Sequence, residues 1–286
     1  MPNAREKRTG PSLVAGPRIN ALSVTSLVML ALFVLIILAL IAADIFYVAS
    51  GKATAERVFA GLFSAQVGHA IWMSLVTSLI TLVLVIVFSI PAGYALSRFR
   101  FPGRAIVNAL VDTPIVMPPV VTGLSLLVFF GTPLGRMIKY ALESADWSLT
   151  SAIGIVLCQF FVSTSYSIRT AAAAFDLVDR GLEQVALTLG CTRTQAFRRV
   201  TLPLARSGLL AGCIMAWARA IGIFGPIMVF VGTGPRVLVM PTTIWLELSV
   251  GNIEISLAVA LVMLAFAGAG LAVVHALEGG GRWWGR

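Results

Sequence analysis

Charge is scarce in this chain. Only 12% of its 286 residues are Asp, Glu, Lys or Arg, about half the share a soluble domain carries, so an ordinary water-facing globule is excluded. Histidine is nearly absent, with two residues, and the three cysteines Cys158, Cys191 and Cys213 stand far apart with no Cys-x-x-Cys pair. That leaves no metal-ligand set to assemble, and the cysteines are assigned no chemistry. A phosphate-binding Walker A loop is missing: Gly51-Lys52 is followed by Ala53 and lacks the earlier glycine. This chain is therefore expected to hydrolyse no ATP and to bind no cofactor. The apolar runs hold no Ser-His pair, paired Asp residues or His-Glu-x-x-His site, which argues against an intramembrane protease. Carboxylates at bilayer depth are sparse too, Asp44 and Asp112, where a proton- or sodium-coupled secondary transporter would need several.

What is abundant is apolar residue. The chain is 58% hydrophobic with a mean hydropathy of +0.95, more than one water-solvated core could bury, so its solvent is lipid. About 20 apolar residues in helix cross a hydrocarbon core of roughly 30 Å, and six runs qualify, at 23–48, 69–96, 105–130, 149–175, 207–231 and 253–276. The first could be read as a signal peptide cut near Val48-Ala49-Ser50, but a run of 26 residues favours a retained span. The expected fold is an all-α integral membrane protein of about six transmembrane helices.

The net charge of +9 lies between the runs and forms no aromatic-interleaved stripe, so no nucleic acid is implied. It reads as topology. Arg5, Lys7, Arg8 and Arg18, then Arg98, Arg100 and Arg104, then Arg169, Arg180, Arg193, Arg198, Arg199 and Arg206, and finally Arg282 and Arg286 fall on one side. Lys52, Arg57, Arg136, Lys139 and Arg236 fall on the other. By the positive-inside rule both termini are cytoplasmic: a basic tail at 1–22, a transmembrane region at 23–277, and a tail at 278–286 with Trp283 and Trp284 as interfacial anchors.

The most informative segment is the cytoplasmic loop 176–206. Leu182, Val185, Ala186 and Leu189 fall on one face of a helix. Gly190 then allows a turn, and a second short helix follows with Phe197 and Val200 on one face and Arg193, Arg198 and Arg199 largely on the other. Leu202-Pro203 is expected to end or kink it. Two short amphipathic helices joined at a glycine make a knob that could dock in a partner's groove. The alternative is an amphipathic segment lying on the membrane surface, its arginines paired with anionic lipid.

Glu183-Gln184-Val185-Ala186-Leu187-Thr188-Leu189-Gly190, followed after nine residues by Val200-Thr201-Leu202-Pro203, resembles the EAA loop of ABC importer permeases. Ala186, Gly190, Leu202 and Pro203 match that motif strictly; Gln184 stands where its Glu is expected and Glu183 lies one place early. The segments Asp112–Gly123 and Ala216–Pro226 are similar to those of the molybdate, tungstate and sulfate branch, the molybdate or tungstate type above all. In that pattern the place of Ile223 is commonly Glu.

The resemblance implies a type I permease in the cytoplasmic (inner) membrane of a prokaryote. Its partners would be two copies of an ABC ATPase seated on the coupling loop, an extracytoplasmic substrate-binding protein, and a second copy or closely related permease. ATP would be used by the ATPase, and the solute would be a small oxyanion or, alternatively, another small solute.

Several residues at bilayer depth could line the passage. Pro114, Pro118 and Pro119 must kink or unwind the third span. The break either shapes packing alone or frees backbone groups from Met117 through Pro118, Pro119 and Thr122 to Gly123, with the Thr113 and Thr122 hydroxyls, to meet a polar solute. Arg219 lies about 20 Å into the fifth span at 1.5 Å per residue, and a charge at that depth is either a path residue or a structural partner. Direct pairing with Asp112 is disfavoured by their different depths. Phe224, with Gly225 and Pro226, could form a constriction or merely bend the helix. The external segment 231–248 could meet the binding protein, or be a re-entrant or surface helix.

Overall fold

The computed structural model describes residues 21–49, 52–143, 152–234 and 237–278. The two terminal tails beyond these bounds, with the Trp283–Trp284 anchor, the first residues of the fourth run and Arg236, lie outside the described residues. Every regular element among the described residues is a helix: α1 Ala21–Ala49, α2 Lys52–Leu62, α3 Ala65–Arg98, α4 Arg104–Val116, α5 Pro119–Gly131, α6 Pro133–Glu143, α7 Ala152–Asp176, α8 Arg180–Thr188, α9 Arg193–Ala196, a π-turn Phe197–Thr201, α10 Leu202–Ile221, α11 Gly225–Phe230, α12 Met240–Ser249 and α13 Ile253–Glu278. Five helical stretches are long and apolar enough to cross a membrane, or six if the bent pair α4–α5 counts as one span. Helix α1 forms a unit by itself.

In the second unit α7 is the centre, with α3, α4, α5, α10 and α11 packed on it. Its contact with α3 is a seam of small and polar residues rather than of large apolar ones. Ser74, Thr77, Ser78, Thr81 and Ser89 recur at helical spacing on one face of α3 and are buried. The Thr81 hydroxyl donates to Gln159 Oε1 at 2.9 Å, Gln159 Nε2 donates to Thr77 at 3.3 Å, and Ser167 donates to Ser89 at 2.9 Å. In lipid, where apolar burial gives helices no reason to meet, small residues and such hydrogen bonds hold them together.

The fifth run is divided. Helix α10 ends at Ile221, residues 222–224 leave the helix, and α11 starts at Gly225 with Pro226 in its first turn. Proline suits that position because its missing N–H would be unpaired there anyway. The break read at Gly225-Pro226 is thus present, and Pro226 opens the helix that follows it. Leu202-Pro203, by contrast, neither ends nor sharply interrupts its helix: residues 193–221 run on continuously, with Pro203 in the first turn of α10 after the π-turn. The wider π-turn relieves the clash a proline ring makes with the carbonyl four residues back.

Besides α8 and α9 of the loop 176–206, three helices among the described residues lie outside the expected runs. These are α2, α6 and α12, the last within the segment read as external. Helix α12 is packed inward on one face, with Met240, Pro241, Thr242, Thr243 and Glu247 buried against α3 and α13. The Met240 amide donates to Ser74 Oγ at 2.8 Å, and Glu247 accepts from Gln66 at 3.0 Å and Asn252 at 2.8 Å. These bonds pin it to the bundle.

Candidate functional site

Two features stand out: a pair of helix breaks meeting beside Arg219, and the knob at the arginine-rich end of the bundle.

The first break follows from three prolines. A residue preceding proline is pushed out of the helical region, and Met117 and Pro118 each precede one. Their ψ angles are 129° and 133°, extended backbone, and α4 and α5 meet at 114°. Pro119 then opens α5 at its first position. With the amides of Pro118 and Pro119 missing, the carbonyls one turn earlier lose their helical donors; one of these, Ile115 O, has the Tyr166 hydroxyl at 3.5 Å.

Tyr166 also connects to the second break. The Arg219 guanidinium lies over its ring at 4.1 Å from the centroid, a cation–π contact. Arg219 occupies the last turn of α10, where the negative end of the helix dipole favours a cation. A cavity of about 480 Å³ lies here, lined by Pro119, Val120, Val162, Arg219 and Gly222–Gly225. The structure thus brings Pro119, Arg219 and Phe224 together, from runs far apart in sequence.

The other residues singled out for this region lie around it. Met117 is half-buried and Pro118 exposed. Thr113 is exposed and its hydroxyl donates to Ala109 O at 2.9 Å. Thr122 is buried, with no hydrogen-bond partner for Oγ1. Gly123 is where α5 touches α11: a Cβ there would stand 2.8 Å from Pro226 Cα. The Phe224 ring lies 6.1 Å from that of Trp245.

Asp112 has a different partner from the one weighed above. It takes Arg169 of α7 in a two-point pair, with Nη2 to Oδ2 at 2.6 Å, and Asn108 fixes the same guanidinium through its carbonyl at 2.9 Å and Oδ1 at 3.1 Å. No carboxylate pairs with Arg219 among the described residues. Ile223 is buried in an apolar cluster with Ile155, Cys158, Val162 and Ile227, surroundings in which a carboxylate would be costly.

At the other end, α8 is capped by Asp179, whose side chain accepts from Gly181 N at 2.8 Å. It closes in a Schellman motif: Cys191 N donates to Ala186 O and Gly190 N to Leu187 O, both at 3.1 Å. Gly190 has φ +88°, which explains the glycine. Then α9 opens with a capping box, Gln195 N to Thr192 Oγ1 at 3.3 Å and Thr192 N to Gln195 Oε1 at 2.9 Å. The T-x-x-Q spacing was legible in the sequence.

The knob's apolar face is uncovered: Leu182, Val185 and Leu189 are exposed, Leu189 at 80%, and only Ala186 of that set is buried. Gln184 and Pro203 are exposed and Leu202 half-buried, Leu202 packing on the cluster of Phe175, Val178 and Leu209. Glu183 instead turns inward, to Tyr94, Arg98 and Thr201, contacts that no sequence pattern announced.

This geometry belongs to a known family. The family model described as the binding-protein-dependent transport system inner membrane component matches residues 86–279, which include both breaks and the knob. A probable molybdenum ABC transporter permease protein of Haloferax volcanii is 40% identical over 205 residues, 71% of this chain and 73% of that protein. The molybdate/tungstate transport system permease protein of Thermococcus kodakarensis is 40% identical over 174 residues, 61% of this chain and 65% of that protein. The sulfate transport system permease protein of Escherichia coli K12 is 36% identical over 167 residues, 58% of this chain and 56% of that protein. The match thus spans less than two thirds of the length of the last two. Among solved structures, a bacterial alginate ABC transporter in complex with its periplasmic protein shares the fold with a TM-score of 0.68 at 18% identity, over 88% of this chain and 91% of that one. The MetNI methionine ABC transporter gives 0.57 at 17% identity, over 72% and 94%. The chain is therefore a member of the binding-protein-dependent transport family, a membrane component of an ABC importer.

Proposed function

We propose that this permease carries a small oxyanion inward across the cytoplasmic membrane of a prokaryote, molybdate or tungstate first and sulfate next. The observation that carries the reading is Arg219: a cation on the face of Tyr166, without a carboxylate partner, beside a cavity where two helices break. A cation lining the cavity lowers the barrier for an anion leaving water, and α5 turns its N-terminus, the positive end of its dipole, toward the same cavity. Three relatives named for molybdenum, molybdate/tungstate and sulfate support the same substrate class.

The exposed face carrying Arg219, Pro118 and Val120 is half of a passage, completed by a second copy or a closely related permease. Two ATPase subunits seat on the knobs, against Leu182, Val185 and Leu189, with Gln184, Gly190, Leu202 and Pro203 shaping the contact. A binding protein delivers the anion from outside. ATP-driven closure of the ATPases moves the knobs and alternates access to the path.

The test is reconstitution with the cognate ATPase and binding protein, with molybdate, tungstate and sulfate supplied in turn. Stimulation of ATP hydrolysis by one of them is expected. A bound ATPase that responds to none would leave the permease standing and remove the oxyanion.

A further inference from the structure

We infer that Glu183, Arg98 and Tyr94 form a clamp that makes the α8–α9 knob and the end of α3 move as one piece, so that these three are positioning residues for coupling. The inference rests on the permease reading only for its consequence; the clamp itself stands on geometry.

Glu183 lies on α8 but uses its carboxylate away from the knob's exposed face. Oε1 accepts the Tyr94 hydroxyl of α3. Oε2 lies 3.3 Å from Arg98 Nε and accepts from Thr201 of the π-turn at 3.2 Å. One carboxylate therefore joins the knob, the end of α3 and the turn that leads into α10. Arg98 is the deepest member, its side chain 6% exposed and that of Glu183 16%. Its Nη2 donates to Val178 O at 2.9 Å, just before α8.

The surroundings hold the same parts together. Ser97 donates to Asp176, the last residue of α7, at 2.6 Å, and Arg180 donates to the Ser97 carbonyl. The Tyr94 ring is fixed edge-on by Phe99, Phe175 and Phe197, at 5.9, 5.5 and 4.6 Å between centroids. A buried ion pair resists separation because parting it leaves uncompensated charge away from water. Sliding the knob relative to α3 would part this one. A push on the exposed Leu182 and Leu189 face is thus delivered to α3 and, through Thr201, to α10, the helix whose last turn carries Arg219. This division of α8 and its C-cap, with Glu183 and Ala186 facing in and Leu182, Val185 and Leu189 facing out, separates the residue that transmits from the residues that touch a partner.

Two variants test it. Glu183→Gln keeps the shape and removes the charge; Tyr94→Phe keeps the ring packing and removes only the hydroxyl. In the isolated chain, hydrogen exchange at 180–188 and at 94–99 is expected to quicken together in both, whether or not the permease reading holds. Exchange that stays unchanged, or quickens at only one of the two segments, overturns the clamp. In proteoliposomes of the full complex supplied with tungstate, substrate moved per ATP is expected to fall about tenfold for Glu183→Gln and about threefold for Tyr94→Phe, with the ATPase still captured. A normal ratio, or a loss matched by loss of captured ATPase, overturns the coupling role. A wild-type chain that captures no ATPase refutes the permease reading instead and leaves the exchange result to decide the clamp. Should Glu183→Gln fail to accumulate, Tyr94→Phe carries both measurements.

Discussion

Thr122 and Gly123 are neighbours with opposite prospects under substitution. The Thr122 hydroxyl is buried without a hydrogen-bond partner, so Thr122→Val removes a desolvated polar atom at nearly constant shape and is expected to stabilise by about 1 kcal/mol. Gly123→Ala places a methyl 2.8 Å from Pro226 backbone atoms and is expected to cost about 1–3 kcal/mol. Thermal unfolding in detergent reads both; equal shifts for the two would show that α5 and α11 do not pack as described. Residues of this kind were only partly legible. The three prolines announced their break because proline acts on its own neighbours. Arg219 announced its depth through the apolar run around it. Its contact with Tyr166, and the pairing of Asp112 with Arg169, depend on how separate helices meet. Nor does any local signal join Tyr94 to Glu183, which stand 89 positions apart.

At the scale of elements, the apolar runs gave the long helices because twenty consecutive apolar residues have few other uses. The short helices α2 and α6 were missed as helices, since each is too short or too mixed to register as a span, while α12 was anticipated only as a re-entrant or surface helix. The reading of Leu202-Pro203 as a stop failed because proline in a first turn starts a helix, whereas the break read at Gly225-Pro226 is present, at residues 222–224 directly before it. The knob is the element most exposed to test. A Cβ at Gly190 would meet nothing within 4 Å, yet φ is +88°, so the strain of any side chain there is in the backbone. Gly190→Ala is expected to cost about 1–2 kcal/mol and to weaken ATPase capture roughly tenfold. Gly190→Asn, which tolerates positive φ, is expected to retain most of it. Equal loss in both, read by quantitative pull-down, would mean that bulk rather than backbone conformation matters.

For the whole molecule, a single chain leaves Arg219 and the edge of α5 exposed beside a cavity, on helices whose other faces require lipid. In the proposed assembly a second permease covers this surface and keeps the cations on an internal path. The molar mass in detergent, corrected for bound detergent, is expected to correspond to two chains when the ATPase is present. A single permease chain per complex would contradict this.

The most direct measurement is tungstate uptake by the reconstituted complex with Arg219 replaced by Gln and, separately, by Lys. Losing a charge-assisted contact worth about 2 kcal/mol should slow uptake roughly 30-fold in Arg219→Gln. Arg219→Lys, which keeps the charge but gives up the planar stack on Tyr166, should lose less. Uptake unchanged in Arg219→Gln, with the complex intact, would contradict an anion path past Arg219.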